Sequence, residues 1–283
     1  MINNWQLLTY PSLENIDQAR KQCHQAIQNV AAVGRSFSPE SKGDEFANLV
    51  WDADLQRLVG RWVEADIKFR SSICIKDFEV YLVDENIETI SSFAMQDKKQ
   101  RDVMVWLEHE MSQLGADFSK INLAYPYDIP EYTTAKGEEF HVDDISACHE
   151  LSRLYHNTAL ILKEILEKES NVSDVKCWPH HFDLAATITR LDTGDPETSR
   201  SIGVGMSPGD QYYAEPYFYV SPWPYPMNDL IDLSSLGAHW HQEDWVGAVL
   251  PISKMVGDNL IQDQRKKVFN FYHTSIEFLK ELL

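Results

Sequence analysis

The sequence predicts an α+β protein of mainly antiparallel sheets backed by helices, and three observations lead there. Several segments carry apolar residues at three-and-four spacing, the mark of a helix with one buried face. Between them lie short runs rich in β-branched and aromatic residues. Neighbouring runs are joined by turn-length connections, too short for the crossovers that parallel strands need.

The elements run in order along the chain. Ser12 to Ser36 reads as a helix, with Ser12 as N-cap and Ile16, Ala19, Cys23, Ala26, Ile27 and Val30 on one face. SFSPESKGDE, residues 36–45, has the composition of a loop. The runs NLVWDADL, QRLVGRWVE, IKFRSSICI, DFEVYLVD and ETISSFAM then read as strands, FEVYLVD alternating as a half-buried strand does. Lys98 to Leu114 reads as a helix closed by Gly115. Residues 117–142, containing YPYDIPEY, show no period and read as a connector. A long helix runs from Asp143 or Asp144 to about Lys168, with Cys148, Leu151, Tyr155, Thr158, Leu162 and Ile165 on one face. Strands are expected around 175–191, 201–206, 213–221 and 245–250, and a last helix from about Gln262 to Leu283.

Each half therefore reads as helix, strands, helix: a unit at 1–116, the connector at 117–142 and a second unit at 143–283. The order suggests an internal duplication. Identity between the halves is slight, so convergent amphipathic patterning is an equal alternative.

Composition excludes several classes. The 25 Lys and Arg against 44 Asp and Glu give a net charge of −19, which repels phosphate backbones and anionic lipid, so neither nucleic acid nor membrane is an expected partner. No apolar run reaches bilayer length, and MINNWQLLTYPSLEN lacks the pattern of a signal peptide. Cys23, Cys74, Cys148 and Cys177 form no CxxC pair, so zinc ribbons and thioredoxin-like chemistry are excluded and a reducing cytoplasm is expected. GVGMSPGD lacks the spacing of a dinucleotide loop, and no GxSxG elbow is present.

The chemistry-bearing residues gather in the second half. WPHHFDLAATI opens with two histidines at the head of an apolar run. Read as an extended strand, His181 and Asp183 share one face while His180 and Phe182 share the other. In AHWHQEDW, His239 and His241 share a strand face, an arrangement that can chelate one metal through two imidazoles. Between the pairs, Glu215, Tyr217 and Tyr219 lie on one face of the EPYFYV strand, with Tyr212 and Tyr213 flanking it. Trp178, Tyr217, Tyr219 and Trp223 are the expected walls of a pocket, because Tyr and Trp join apolar area to a polar handle. PWPYP is expected to form a rigid rim rather than a central strand. His149 and His156 are expected on a solvated flank of the long helix.

These elements resemble a known family. SDVKCWPHHFDLAATITRL, SIGVGMSPGDQYYAEPYFYVSPWP, the VLPISKM strand and the closing helix are similar to a bacterial family called domain of unknown function 5996. VYLVDENIETISSFAM, ADFSKINLAYPYDIP and the long helix from 143 fit the same pattern, so the resemblance covers most of the chain. It implies a shared fold and directs attention to His181, Asp183 and the EPYFY strand, and it implies no reaction. Where family members carry a longer, more aromatic segment before FDLA, this chain has the compact WPHHFDLA, which sets His180 apart.

Two functions stay open. In the first, His181, His239 and His241 bind a divalent transition metal such as zinc, Glu215 and Asp183 act as catalytic carboxylates, and a metal-bound water hydrolyses a small polar substrate. In the second, the aromatic strand binds a small molecule or a protein without catalysis and the histidines are structural. The chain is expected as a monomer or homodimer. Substrate, metal and biological role are not encoded in any motif.

Overall fold

The computed structural model describes residues 4–9, 11–39, 44–195, 197–227, 230–255 and 260–283. Residues 40–43 of the loop expected at 36–45 lie outside them. The fold is α+β, with antiparallel sheets and four α-helices among the described residues. It forms two compact units that interleave in sequence. The first comprises Pro11–Ser152 and Cys177–Phe182, and the second Met1–Tyr10, Arg153–Lys176 and Asp183–Leu283. Residues 117–142 thus fall inside the first unit, and the boundary that the sequence places at 143 falls within the long helix instead.

The first unit opens with α1 (Leu13–Phe37), started by Ser12, whose Oγ accepts the Asn15 N–H at 3.2 Å. It continues as an antiparallel meander of β1 (Val50–Asp52), β2 (Arg57–Val63), β3 (Phe69–Cys74), β4 (Glu79–Asp84) and β5 (Thr89–Ala94), paired in that order. The inner sheet face, with Leu58, Phe69, Ile73, Val80 and Leu82, is buried. α1 lies close against β2 and β3: the Ser71 hydroxyl donates to the Val30 carbonyl at 3.0 Å. Gly34 permits that approach, since a Cβ there would stand 2.9 Å from the Arg61 nitrogen. A two-stranded tie, β6 (Lys98–Lys99) with β7 (Glu139–Phe140), brackets α2 (Gln100–Gln113). The long segment of the first unit ends at Ser152, within α3 (Ile145–Leu166).

α1 is buried over most of its circumference. Its interior positions include Arg20, His24, Gln25, Gln28, Asn29 and Arg35 as well as the expected apolar face. Buried polar groups of this kind must find partners, and those partners bear on the WPHHF segment below.

The second unit carries strands in the order β12-β13-β11-β10-β9, with β9 (Asp183–Leu191), β10 (Arg200–Ser207), β11 (Tyr217–Trp223), β12 (His239–His241) and β13 (Gly247–Pro251), and β8 (Lys176–Trp178) straddles the boundary of the two units between Lys176 and Cys177. One face is apolar: Leu184, Ile188, Ile202, Val204, Met206, Phe218, Val220 and Leu250 are all buried. α4 (Ile261–Leu282) covers it, with Tyr272 set edge-on to Phe218 at 6.0 Å. The Tyr272 hydroxyl donates to the Gly205 carbonyl at 2.8 Å, so this buried tyrosine is satisfied. Both units run helix, meander, helix, but the last two strands of the second exchange places in the sheet order. No helix of the described residues is long and apolar enough to cross a membrane.

Two expectations are corrected here. Pro222 pairs with Ile202 inside β11, so the first residues of PWPYP prolong the strand. They can do so because β13 pairs with β11 only at Tyr217–Val220, leaving the proline nitrogen with no ladder bond to supply on that side. His156 is buried, not solvated, with Nε2 set 3.0 Å from the Asn4 carbonyl; burial lowers its pKa.

Candidate functional site

The candidate site is the second face of the second unit's sheet, and register fixes its membership. Val249 pairs with both Tyr219 and His239, and Gly205 with both Tyr219 and Ala185. Directly paired residues share a face. Ala185, Gly205, Tyr219, Val249 and His239 therefore form one row, and Asp183, Ser207, Tyr217 and Pro251 lie in the next. His241 and Gly247 lie in the row on the other side. Where the α4 face is apolar, this face carries carboxylate, hydroxyl and imidazole groups.

Glycines make room for large side chains on it. Tyr219 lies across Gly205 to reach β9, where its hydroxyl donates to Asp183 Oδ2 at 2.5 Å. Trp245 lies over Gly247, where a Cβ would stand 2.4 Å from the indole, and it stacks on His241 at 4.4 Å between ring centres. Tyr217 donates to Asp210 Oδ2 at 2.5 Å. The other oxygen of Asp210 accepts the N–H groups of Tyr212 and Tyr213 at 2.8 and 3.0 Å, which closes the DQYY turn and aims Tyr213 at the histidines. Burial, and then the facing carboxylates, push the hydroxyls of Tyr217 and Tyr219 well above the usual range, so both remain donors.

The two β12 imidazoles meet at one atom. His239 Nε2 and His241 Nδ1 each lie 3.0 Å from the Tyr213 hydroxyl oxygen. His241 Nε2 lies 2.6 Å from the Glu243 carbonyl, which can only accept, so that nitrogen carries a proton. With His241 neutral, Nδ1 then accepts from the Tyr213 hydroxyl, and the Tyr213 oxygen accepts from His239 Nε2–H. Partial desolvation, with His241 and Lys254 nearby, lowers the pKa of His239 although Glu215 opposes the shift, which favours a neutral His239. Burial, with Asp210 and Glu243, raises that of Tyr213.

Beside this group lies a cavity of about 520 Å³ bordered by Gln211, Tyr212, Tyr213, Trp240, His241, Gln242 and Glu243. The Tyr212 hydroxyl donates to Asp244 at 3.0 Å on its rim.

The structure brings together some expected residues and separates others. Asp183, Tyr217, Tyr219, His239 and His241 share the face. Glu215 precedes β11, its carboxylate accepts the Ser253 N–H and hydroxyl at 2.8 and 3.0 Å, and its charge reaches His239. Trp223 stands at the far end of β11, edge-on to Tyr225 at 5.5 Å. His181 and Trp178 belong to the first unit. Among the described residues, no group of three or more His, Cys, Asp or Glu is placed to hold a metal ion, so the expected set of His181, His239 and His241 with a carboxylate is not formed.

The face assignment for WPHHFD is also corrected. Residues 179–182 are a turn between β8 and β9, with the His181 and Phe182 N–H groups both donating to the Trp178 carbonyl, at 3.1 and 2.7 Å. Phe182 has φ of 56°, so strand alternation stops before Asp183. In the first unit the turn is fastened to the polar stripe of α1. The Pro179 carbonyl accepts from His24 Nε2 and Gln28 Nε2, each at 2.8 Å. His24 stacks on Phe182, and its Nδ1 accepts the Tyr132 hydroxyl at 2.8 Å. His180 and His181 lie with ring centres 4.2 Å apart, His181 exposed.

Tyr213, Asp210, Trp245 and the amides of Gln211 and Gln242 complete the second-unit site and are not picked out as site residues by the sequence. Asp210 two and three residues before a tyrosine pair is the one local signal, an Asx turn that positions both tyrosines.

Such a face defines a class: an α+β protein with one apolar and one polar-aromatic side to its second sheet, and a cavity at the edge of the polar side. Comparison with protein-family models, with curated proteins and with solved structures finds no match to this chain.

Proposed function

We infer that the second unit binds a small cationic molecule, an amine or quaternary ammonium, in the cavity beside β12. The carrying observation is the lining itself: Tyr212, Tyr213 and Trp240 supply aromatic rings, Glu243 a carboxylate, and Gln211 and Gln242 amides that donate and accept. Aromatic rings with a nearby carboxylate attract a cation, and the net charge of −19 adds a long-range pull. The hydrogen bonds of Asp210, Tyr213, His239 and His241 fix the wall before a ligand arrives, which reduces the ordering cost of binding. This favours the non-catalytic reading over metal-assisted hydrolysis. Cys23, Cys74, Cys148 and Cys177 are all buried, where a thiol packs as a small apolar group, in keeping with a reducing, cytoplasmic setting.

Calorimetric titration with choline, with glucose as the neutral comparator, tests the reading. Choline is expected to bind and glucose not to, with binding weakened by salt. Glu243→Gln should weaken choline roughly two- to fivefold, the scale of an exposed ion pair. The Glu243 carbonyl that holds His241 is retained in this variant. Equal heats from the two compounds, or none from choline, would remove the cation reading.

A further inference from the structure

We propose that His239, His241 and Tyr213 form a transition-metal site, with the phenolate of Tyr213 as third ligand. It goes beyond the cation reading and does not rest on it.

The case begins from convergence. Two imidazole nitrogens from alternate residues of β12 point at one oxygen, each at 3.0 Å. Zinc holds nitrogen at about 2.0–2.1 Å and oxygen at about 2.0–2.2 Å, so donor atoms around one tetrahedral ion stand about 3.3–3.5 Å apart. The two nitrogen–oxygen separations, each 3.0 Å, are about 0.3–0.5 Å shorter than that spacing. A metal seated among the three atoms would replace two hydrogen bonds with three coordinate bonds, with each nitrogen moving away from the oxygen by that amount.

The surroundings fit a ligand set as well as a hydrogen-bonded one. A histidine that binds metal through one nitrogen typically donates its other N–H to a carbonyl or carboxylate, which fixes the tautomer. His241 does this before any metal arrives, through Nε2 to the Glu243 carbonyl at 2.6 Å, leaving the Nδ1 lone pair aimed inward. Trp245, stacked on the His241 ring, holds its plane. β12 is held in register by β13, so the two imidazoles are carried on paired backbone rather than on a free loop. His239 is exposed and opens a route for the ion, and the cavity bordered by Tyr213 and His241 leaves space for a fourth ligand such as water. The set differs from a cluster of His, Cys, Asp and Glu alone, which the described residues lack, because its third donor is a tyrosine.

The proton balance is simple. Binding of a divalent ion displaces the Tyr213 phenolic proton to solvent. His239 moves its proton from Nε2 to Nδ1, and His241 keeps its proton on Nε2. One proton is released per ion, so affinity rises with pH. Imidazole with an oxygen donor suits zinc and copper(II) better than magnesium or calcium.

The test uses the full-length, untagged chain, stripped with chelator and titrated separately with zinc and with copper(II). About one equivalent should bind, with one proton released, and copper should give a visible phenolate-to-metal charge-transfer band. Tyr213→Phe keeps the ring and should lose that band and weaken zinc on the order of 100-fold or more; His239→Ala should weaken it likewise. Circular dichroism of each variant establishes that the fold is kept. No uptake by the native chain, or native affinity and an unchanged copper spectrum in Tyr213→Phe, would overturn the proposal. Choline is titrated into metal-free protein, so either result can fail while the other stands.

Discussion

Replacing Gly205 by alanine is expected to destabilise the second unit by roughly 3–5 kcal/mol, combining overpacking with loss of a buried hydrogen bond. A Cβ on Gly205 would stand 2.7 Å from the Tyr219 hydroxyl oxygen and 2.8 Å from both the Tyr219 ring and the Leu184 carbonyl. Leu184 offers backbone, which cannot swing aside, so Tyr219 must leave its place across the strand. Doing so breaks its 2.5 Å bond to Asp183, a buried residue, and strands a hydroxyl and a carboxyl oxygen together. Gly203, two residues earlier on the same face, is the control. Its nearest contact for a new Cβ is the Ser221 carbonyl at 3.6 Å, ordinary van der Waals distance. Gly203→Ala should therefore change stability by less than about 1 kcal/mol, with the lower unfolded-state entropy acting in its favour. Urea unfolding followed by tyrosine and tryptophan fluorescence measures both variants, and equal midpoints would show that Tyr219 is not held as described.

The second large effect is loss of first-unit stability in mild acid. His24 is buried, and burial, followed by the neighbouring charges of Arg20, His181 and His180, lowers its pKa from 6.5 to about 4, although the Pro179 carbonyl opposes the shift. The sign comes from proton uptake. Above pH 6.5 neither state is protonated and the interaction contributes fully. As pH falls from about 6.5 towards 4, the unfolded chain takes up a proton that the folded chain refuses, so stability falls with pH. By pH 4 the loss should be on the order of 3 kcal/mol. Exposed His141 acts in the opposite direction. Asp97, 2.6 Å from its Nδ1, raises its pKa, so its contribution is present in acid and is lost as pH rises through the folded value. The His24 effect is therefore read as the difference in pH slope between the native chain and His24→Gln. Matching slopes from pH 7 to 4.5, or a His24 ring that titrates near 6.5 by NMR, would contradict the buried, neutral assignment.

Much of the fold was legible before any coordinates. Ser12 starts α1 as its side chain requires, and the alternation in FEVYLVD marks β4. The helical stripes of α1, α3 and α4 reflect burial of one face, a pattern written in local order. Legibility failed where a polar residue is buried by distant neighbours. His24 and Gln28 look like ordinary surface positions of an amphipathic helix until the Pro179 carbonyl arrives from 155 and 151 residues further along the chain. It failed again at His180 and His181, where one left-handed residue, Phe182, turns an apparent strand into a corner. Propensity and periodicity average over windows, and a single φ is invisible to them.

The candidate site divides the same way. The sequence by itself determined that His239 and His241 would share a strand face and that Tyr217 and Tyr219 would share another, because side-chain direction in an extended chain depends only on odd and even position. Only the tertiary structure decided that these two faces are one. That came from strand order: β13 lies between β11 and β12 and aligns Tyr219 with His239 through Val249. It also decided that Tyr213, rather than His181, stands between the imidazoles. Strand pairing and turn geometry are set by long-range hydrogen bonds and packing, whose partners are far apart in the chain, so no local pattern of residue types can specify which oxygen a histidine will meet.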